Sequence, residues 1–325
     1  MTPLLRPLSF SEMLDRAFAL AVRTVLPIAA VIALMFGISF GGAFGIVYVS
    51  TRLHVPAVLG LILAAIFFFA LTVAGQGAAL TGLVDAYFGR TVKFSRMLIG
   101  SRRTWPQLSL LSLFYVLTLA VVGVVAIALF FGGVWFSEHL AFLRTLPGSI
   151  VGIVLAIFLF CLIFALISLE CCVAYVAFVG CVAEWRPAVE SWQRAWKRSA
   201  EGGRAWRTLG YSVLLTFGGL ALTLAVQFMG LGLAALLPKG SLIVGVVSGV
   251  PGLVSNLLYY IFELAWFVVY YVDLRVRTEG LDLAIQSDSL EPLASGAPAY
   301  RHRLQAGRVR EQAPRRRIER VRKFL

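Results

Sequence analysis

Arg90-Thr91-Val92-Lys93-Phe94-Ser95 is the stretch from which the architecture can be read, because altered forms of it occur twice more. Arg6-Pro7-Leu8-Ser9-Phe10-Ser11 lies upstream and Arg186-Pro187-Ala188-Val189-Glu190-Ser191 downstream. In each, Arg and Ser stand five apart and two long apolar runs follow. Phe10-Ser11-Glu12-Met13-Leu14 against Phe94-Ser95-Arg96-Met97-Leu98 is the clearest local match; the third copy shares little beyond Arg and Ser. The expected period is one amphipathic helix plus one hairpin, repeated three times over residues 6–82, 90–182 and 186–274. No catalytic or transport signature accompanies the pattern.

Composition places those runs in a membrane. Hydrophobic residues make up 60% of the 325-residue chain and charged residues 14%, and the mean hydropathy is +0.88, outside the range of soluble globular domains. The apolar runs at roughly 25–49, 57–82, 107–136, 148–182, 208–237 and 241–274 can each cross about 30 Å of hydrocarbon. The fold class expected is therefore an all-α membrane protein with six transmembrane helices, arranged with pseudo-threefold similarity. Gly37, Gly41 and Gly45 recur every four residues in the first run, a pattern that favours close helix packing.

The formal net charge of +13 is unevenly placed. Of 29 Lys and Arg, only Arg52, Arg144 and Lys239 lie in the three short links within hairpins. The other 26 fall in the segments 1–24, 84–105, 183–207 and 275–325. By the positive-inside rule those segments, and both termini, belong to the cytoplasm. Residues 1–24 carry Glu12 and Asp15 before a long apolar run, which disfavours a cleavable signal peptide, so the N-terminus is expected to be retained.

Each copy opens on an interfacial helix. In the first, Phe10, Met13, Leu14, Ala17, Phe18 and Ala21 recur at helical spacing, and Ser9 with Glu12 is set for a capping box. In the second, Arg90 and Lys93 alternate with apolar Val92 and Phe94. In the third, Val189, Trp192 and Trp196 form a stripe with Arg194 and Lys197 off it, a combination typical of the membrane–water boundary. Residues 284–300 read as a mobile linker, leading to a basic tail from Arg301 to Leu325 that either contacts anionic headgroups or is simply solvated. The membrane domain is thus 1–283 and the tail 284–325. No aromatic interleaving or recognised module points to nucleic acid.

Two constellations could carry more than architecture. Gln76, Glu170 and Glu263 each interrupt the second helix of a hairpin, 14, 16 and 14 positions before Arg90, Arg186 and Arg277. They either line a polar layer around a cavity or fix packing through interhelical hydrogen bonds, with Gln227 and Asn256 as possible partners; a carboxylate at such depth must be neutral, paired or hydrated. Asp273, Arg275, Arg277, Glu279 and Asp282 form a charged cluster at the end of the last span, suited to holding the helix end or to docking a partner protein or lipid headgroup. Cys161, Cys171, Cys172 and Cys181 lie in one apolar run, the outer two roughly 30 Å apart along a helix, and read as packing residues. No metal or cofactor is expected.

The segments 6–18 and 271–283 resemble a large group of bacterial multi-pass proteins similar to the membrane domain of glycerophosphoryl diester phosphodiesterase. The resemblance spans residues 6–283 and implies a bacterial inner membrane. The companion hydrolase domain of that group is not expected in this chain. Its metal-assisted chemistry needs clustered His and carboxylates, whereas His54, His139 and His302 lie in three separate segments, so the activity is not carried over. The expectation is a non-enzymatic scaffold or assembly factor that contacts anionic lipid and protein partners. The alternative is a transporter or channel using the intramembrane polar layer.

Overall fold

The computed structural model describes residues 7–139, 146–235 and 242–280, and every regular element among them is helical. The order is α1 (Phe10–Arg52), α2 (Ala57–Tyr87), α3 (Phe94–His139), α4 (Leu146–Glu184), α5 (Ala188–Ala200), a 3-10 turn (Glu201–Gly203), α6 (Arg204–Ala235) and α7 (Leu242–Glu279). Six of the seven α-helices, all but α5, are long and apolar enough to cross a membrane. The protein is a multi-pass membrane protein.

The separate interfacial helix expected in every copy exists only in the third. α1 runs unbroken through 43 residues, about 65 Å, so its amphipathic start and its apolar run are one rod; α3 does the same over 46 residues. Nothing in residues 10–24 or 94–105 stops a helix. Before α6, Gly202 and Gly203 each lower helix propensity by about 1 kcal/mol, and Gly203 takes a φ of +77° that a side chain would resist. α5 ends there. The capping box forms as expected: the Glu12 amide donates to Ser9 Oγ and the Ser9 amide to Glu12 Oε2. Ser95 lies inside α3, as its second residue, and does not cap it.

The contacts divide the chain into two units. The first holds residues 7–109, 176–198 and 257–280, with a core built around Met13, Ile28, Leu83, Met97, Trp266 and Tyr270. Small residues on α2 admit its neighbours closely. A Cβ on Gly77 would stand 2.6 Å from Leu108 Cδ1, and one on Gly82 3.0 Å from Met97 Cε. Ser101 and Trp105 of α3 then donate to the main-chain oxygens of Ala74 and Ala70. The Gly37, Gly41 and Gly45 stripe plays no such part, since a Cβ at any of the three meets nothing within 4 Å; the α1–α2 contact uses Gly42 against Phe67 and Gly60 against Ser50 instead.

The second unit holds residues 110–175 and 199–256. Here Ser212 donates to the Ser168 carbonyl, Tyr115 Oη meets Cys171 Sγ at 2.8 Å, and Thr223 donates to Asn256 Oδ1 at 3.0 Å. Its outward side chains are large and apolar, among them Phe131, Phe158, Phe160 and Phe228, as a lipid-facing surface requires. All four cysteines are free thiols.

Candidate functional site

The helix ends of the first unit carry the densest polar chemistry. Glu184 closes α4 with its side chain only 1% exposed. Arg198, from the last turn of α5, meets it at 2.9 Å, and Arg275 of α7 approaches it at 3.5 Å. Arg186 and the Tyr271 hydroxyl also donate to Glu184. Glu279 binds the other side of both arginines, with Arg198 Nε and Arg275 Nε each donating at 2.8 Å. At 3.5 Å the Arg275 Nη1 contact with Glu184 is coulombic without hydrogen-bond geometry, and that nitrogen has no hydrogen-bond acceptor among the described residues.

α5 is shaped for this network. Its buried stripe is Ala188, Ser191, Ala195, Arg198 and Ser199, not the Val189, Trp192 and Trp196 stripe the sequence suggests. Both tryptophans are half-buried and Val189 is exposed. Small side chains bring the helix close enough for the Arg198 guanidinium to reach inward. Burial alone lowers the pKa of Arg198, and the groups that face it, among them the carboxylates of Glu184 and Glu279, more than reverse this, so it stands above the usual arginine value. Arg186 is raised in the same sense by Glu184 and Glu190 against the opposing effect of burial. Both remain cations at any pH the protein survives.

Two further acids mark helix ends. Asp273 of α7, its side chain fully buried, accepts from the Leu8 amide at 2.8 Å and from Arg277 Nε at 2.8 Å. Arg277 in turn donates to the Leu8 carbonyl at 2.6 Å, so the residue before the cap of α1 is clamped through both main-chain polar groups. Asp85 of α2, 8% exposed in its side chain, pairs with Arg90 at 3.1 Å and Arg96 at 2.9 Å.

Beside Asp85 lies a cleft of about 500 Å³ lined by Arg90, Arg96, Arg103 and Trp185 over Val84, Ile99 and Val182. The Arg103 guanidinium stacks over the Trp185 ring, 4.6 Å from its centroid, a cation–π geometry. Trp185 sits at φ +57°, the left-handed region that a bulky side chain enters only at a cost of about 1–3 kcal/mol.

The expected charged cluster thus resolves into two devices, Asp273 with Arg277 and Arg275 with Glu279; Asp282 and the tail 284–325 lie outside the described residues. Arg90 and Arg194 are paired, to Asp85 and Glu190, while Lys93 and Lys197 are exposed. Of the intramembrane trio, Gln76 and Glu263 are half-buried in the first unit and Glu170 is buried in the second. Glu170 Oε1 has no hydrogen-bond partner among the described residues. Asn256, a possible partner for such an acid, is engaged by Thr223. Among the described residues no group of three or more His, Cys, Asp or Glu is placed to hold a metal ion.

Asp85, Glu184, Arg198, Tyr271, Arg103 and Trp185 were not singled out as site residues by their sequence pattern. The signal was present: Asp85, Glu184 and Asp273 precede Arg90, Arg186 and Arg277 by five, two and four positions, each at the end of a hairpin's second helix. Comparison of the chain with family models, with curated proteins and with solved structures gives no match.

Proposed function

We propose that the chain is a non-enzymatic scaffold or assembly factor of a bacterial inner membrane, built as three pseudo-threefold repeats with both termini in the cytoplasm. The observation that carries this reading is the division of labour among its basic residues. Arg186 and Arg198 are paired to buried Glu184, Arg277 to buried Asp273, and Arg275 to the more exposed Glu279, which locks the helix ends together. Lys93, Arg102, Arg103 and Lys197 are exposed and have no carboxylate partner among the described residues. A rigid base with outward cations suits anionic headgroups and acidic protein surfaces.

The repeat draws support from a shared device. The acid ending α2 holds the segment that opens α3, the acid ending α4 holds the segment that opens α5 and its last turn, and the acid near the end of α7 holds the segment before α1. Sidedness is supported by the 26 to 3 division of Lys and Arg. Affinity capture from native membranes tests the function: specific protein partners should be lost when Trp192, Trp196 and Lys197 are replaced together or residues 284–325 are removed. Recovery of lipid alone sinks the scaffold reading.

A second reading, a transporter or channel for a small solute or lipid, is favoured by one observation, the buried Glu170 Oε1 with no hydrogen-bond partner among the described residues. A carboxylate kept at such a position has a cost in stability, and intramembrane acids commonly mark proton or ion paths.

A further inference from the structure

We propose that the cleft beside Asp85 is a binding site for the phosphate headgroup of one anionic phospholipid, held by Arg90, Arg96 and Arg103 against Trp185. The charge count favours an anion, with three guanidinium groups facing one carboxylate. Asp85 engages a single nitrogen of Arg90 and a single nitrogen of Arg96, and each guanidinium carries five N–H donors. Its effect is to hold the two side chains at the cleft while most of their donors stay available. Arg103 offers more, because it meets Trp185 through the face of the guanidinium, and a stacked guanidinium keeps its in-plane N–H groups for phosphate oxygens.

Trp185 supplies an independent observation. Its left-handed backbone is a strained conformation of the kind that concentrates at ligand clamps, and it places the indole under Arg103. The volume, about 500 Å³, lies in the range of small-molecule sites. The lining also includes apolar Val84, Ile99 and Val182, and Ile99 is 68% exposed. A ligand with a phosphate at one end and hydrocarbon at the other matches that mixture of basic and apolar side chains, and basic pockets between membrane helices are known to take such headgroups. Free phosphate would satisfy only the polar half.

The assignment rests on the reading of this helix end as lipid-facing, and its test is separable from the partner-capture experiment. Full-length protein in mild detergent is examined by native mass spectrometry after incubation with phosphatidylglycerol or phosphatidylcholine. One phosphatidylglycerol per chain should be retained, with phosphatidylcholine retained far less. Arg103→Gln should weaken retention about fivefold and Arg96→Gln with Arg103→Gln about 25-fold, at about a factor of five per basic residue near the surface. Arg52→Gln, at the α1–α2 link, should change nothing. Arg103 is exposed, so its replacement leaves folding intact, which circular dichroism checks. Equal retention of both lipids, undiminished retention in the double variant, or an equal loss in Arg52→Gln overturns the site. Displacement of phosphatidylglycerol by millimolar inorganic phosphate overturns the lipid assignment in favour of a soluble phosphate ester. Retention of phosphatidylglycerol alongside failed partner capture removes the scaffold reading and leaves the site standing.

Discussion

The Leu8 amide donates a hydrogen bond of 2.8 Å to Asp273 Oδ1, joining the segment before α1 to the end of α7 across 265 residues. Leu8 is 2% exposed and the Asp273 side chain is fully buried, so water cannot replace either partner. Removing the carboxylate strands the amide and takes from Arg277 its acid, leaving it the Leu8 carbonyl. Asp273→Ala should destabilise the protein by about 3–5 kcal/mol, read as a lowered thermal midpoint in detergent. Asp273→Asn keeps an acceptor for Leu8 and should cost less, about 1–3 kcal/mol. Equal effects of the two substitutions would show that the Leu8 clamp contributes nothing.

Glu184 is the hub of the second network, with Arg186, Arg198, Arg275 and Tyr271 all directed to it. Glu184→Ala leaves Arg198 and Arg275 buried with Glu279 as their nearby acid, while Arg186 keeps Glu190. The expected loss is again about 3–5 kcal/mol. Because Arg198 belongs to the same network, the double variant Glu184→Ala with Arg198→Ala should lose less than the sum of the singles. Strict additivity in a double-mutant cycle would contradict the network.

What the sequence disclosed and what it concealed follow one physical rule. The six spans were legible because length and hydropathy are local properties, and the Ser9–Glu12 capping box because both partners lie within one turn. The fused α1 and α3 were hidden by the habit of ending a helix where polarity changes, although nothing in either stretch breaks one. The Gly37–Gly41–Gly45 stripe misled because small residues permit contact without supplying a partner. Long-range pairs such as Leu8 with Asp273 or Arg198 with Glu279 join distant segments, and Arg198 reads as a surface residue until the Ala188–Ser191–Ala195 stripe is seen to be the buried one.

Trp185 separates strain from stability. Glycine at this position would relieve the cost of the left-handed backbone, about 1–2 kcal/mol, and forfeit a cation–π contact of about 0.5–1 kcal/mol. The indole is also half-buried, and losing that apolar contact at about 25 cal/mol per Å² outweighs the relief, so Trp185→Gly should lower stability by about 1–3 kcal/mol while reducing retention of phosphatidylglycerol. A large loss of stability with lipid retention intact would make Trp185 a structural residue only.

Topology is open to direct measurement with single cysteines in a background lacking Cys161, Cys171, Cys172 and Cys181. Ser191 is 4% exposed and a poor position for labelling, whereas Gln193 on the same helix is exposed, as is Thr51 at the end of α1. Membrane-impermeant maleimide should reach Thr51→Cys from the periplasmic side of intact cells and Gln193→Cys only after permeabilisation. Labelling of both from one side would overturn the six-span arrangement and the orientation taken from its charges.

Glu170 decides between scaffold and transporter. A buried carboxylate oxygen without a hydrogen-bond partner costs about 1–3 kcal/mol, so Glu170→Met, close in volume and fully apolar, should raise the thermal midpoint. If the acid only fills space, that variant keeps partner capture, and neither it nor Glu170→Gln alters proton or solute flux in proteoliposomes. If the acid is retained for transport, the stabilised variant loses a flux that the parent shows, the trade expected where function holds a residue against stability. The scaffold reading predicts a more stable protein with no flux to lose, and a parent that conducts while Glu170→Gln does not would replace it.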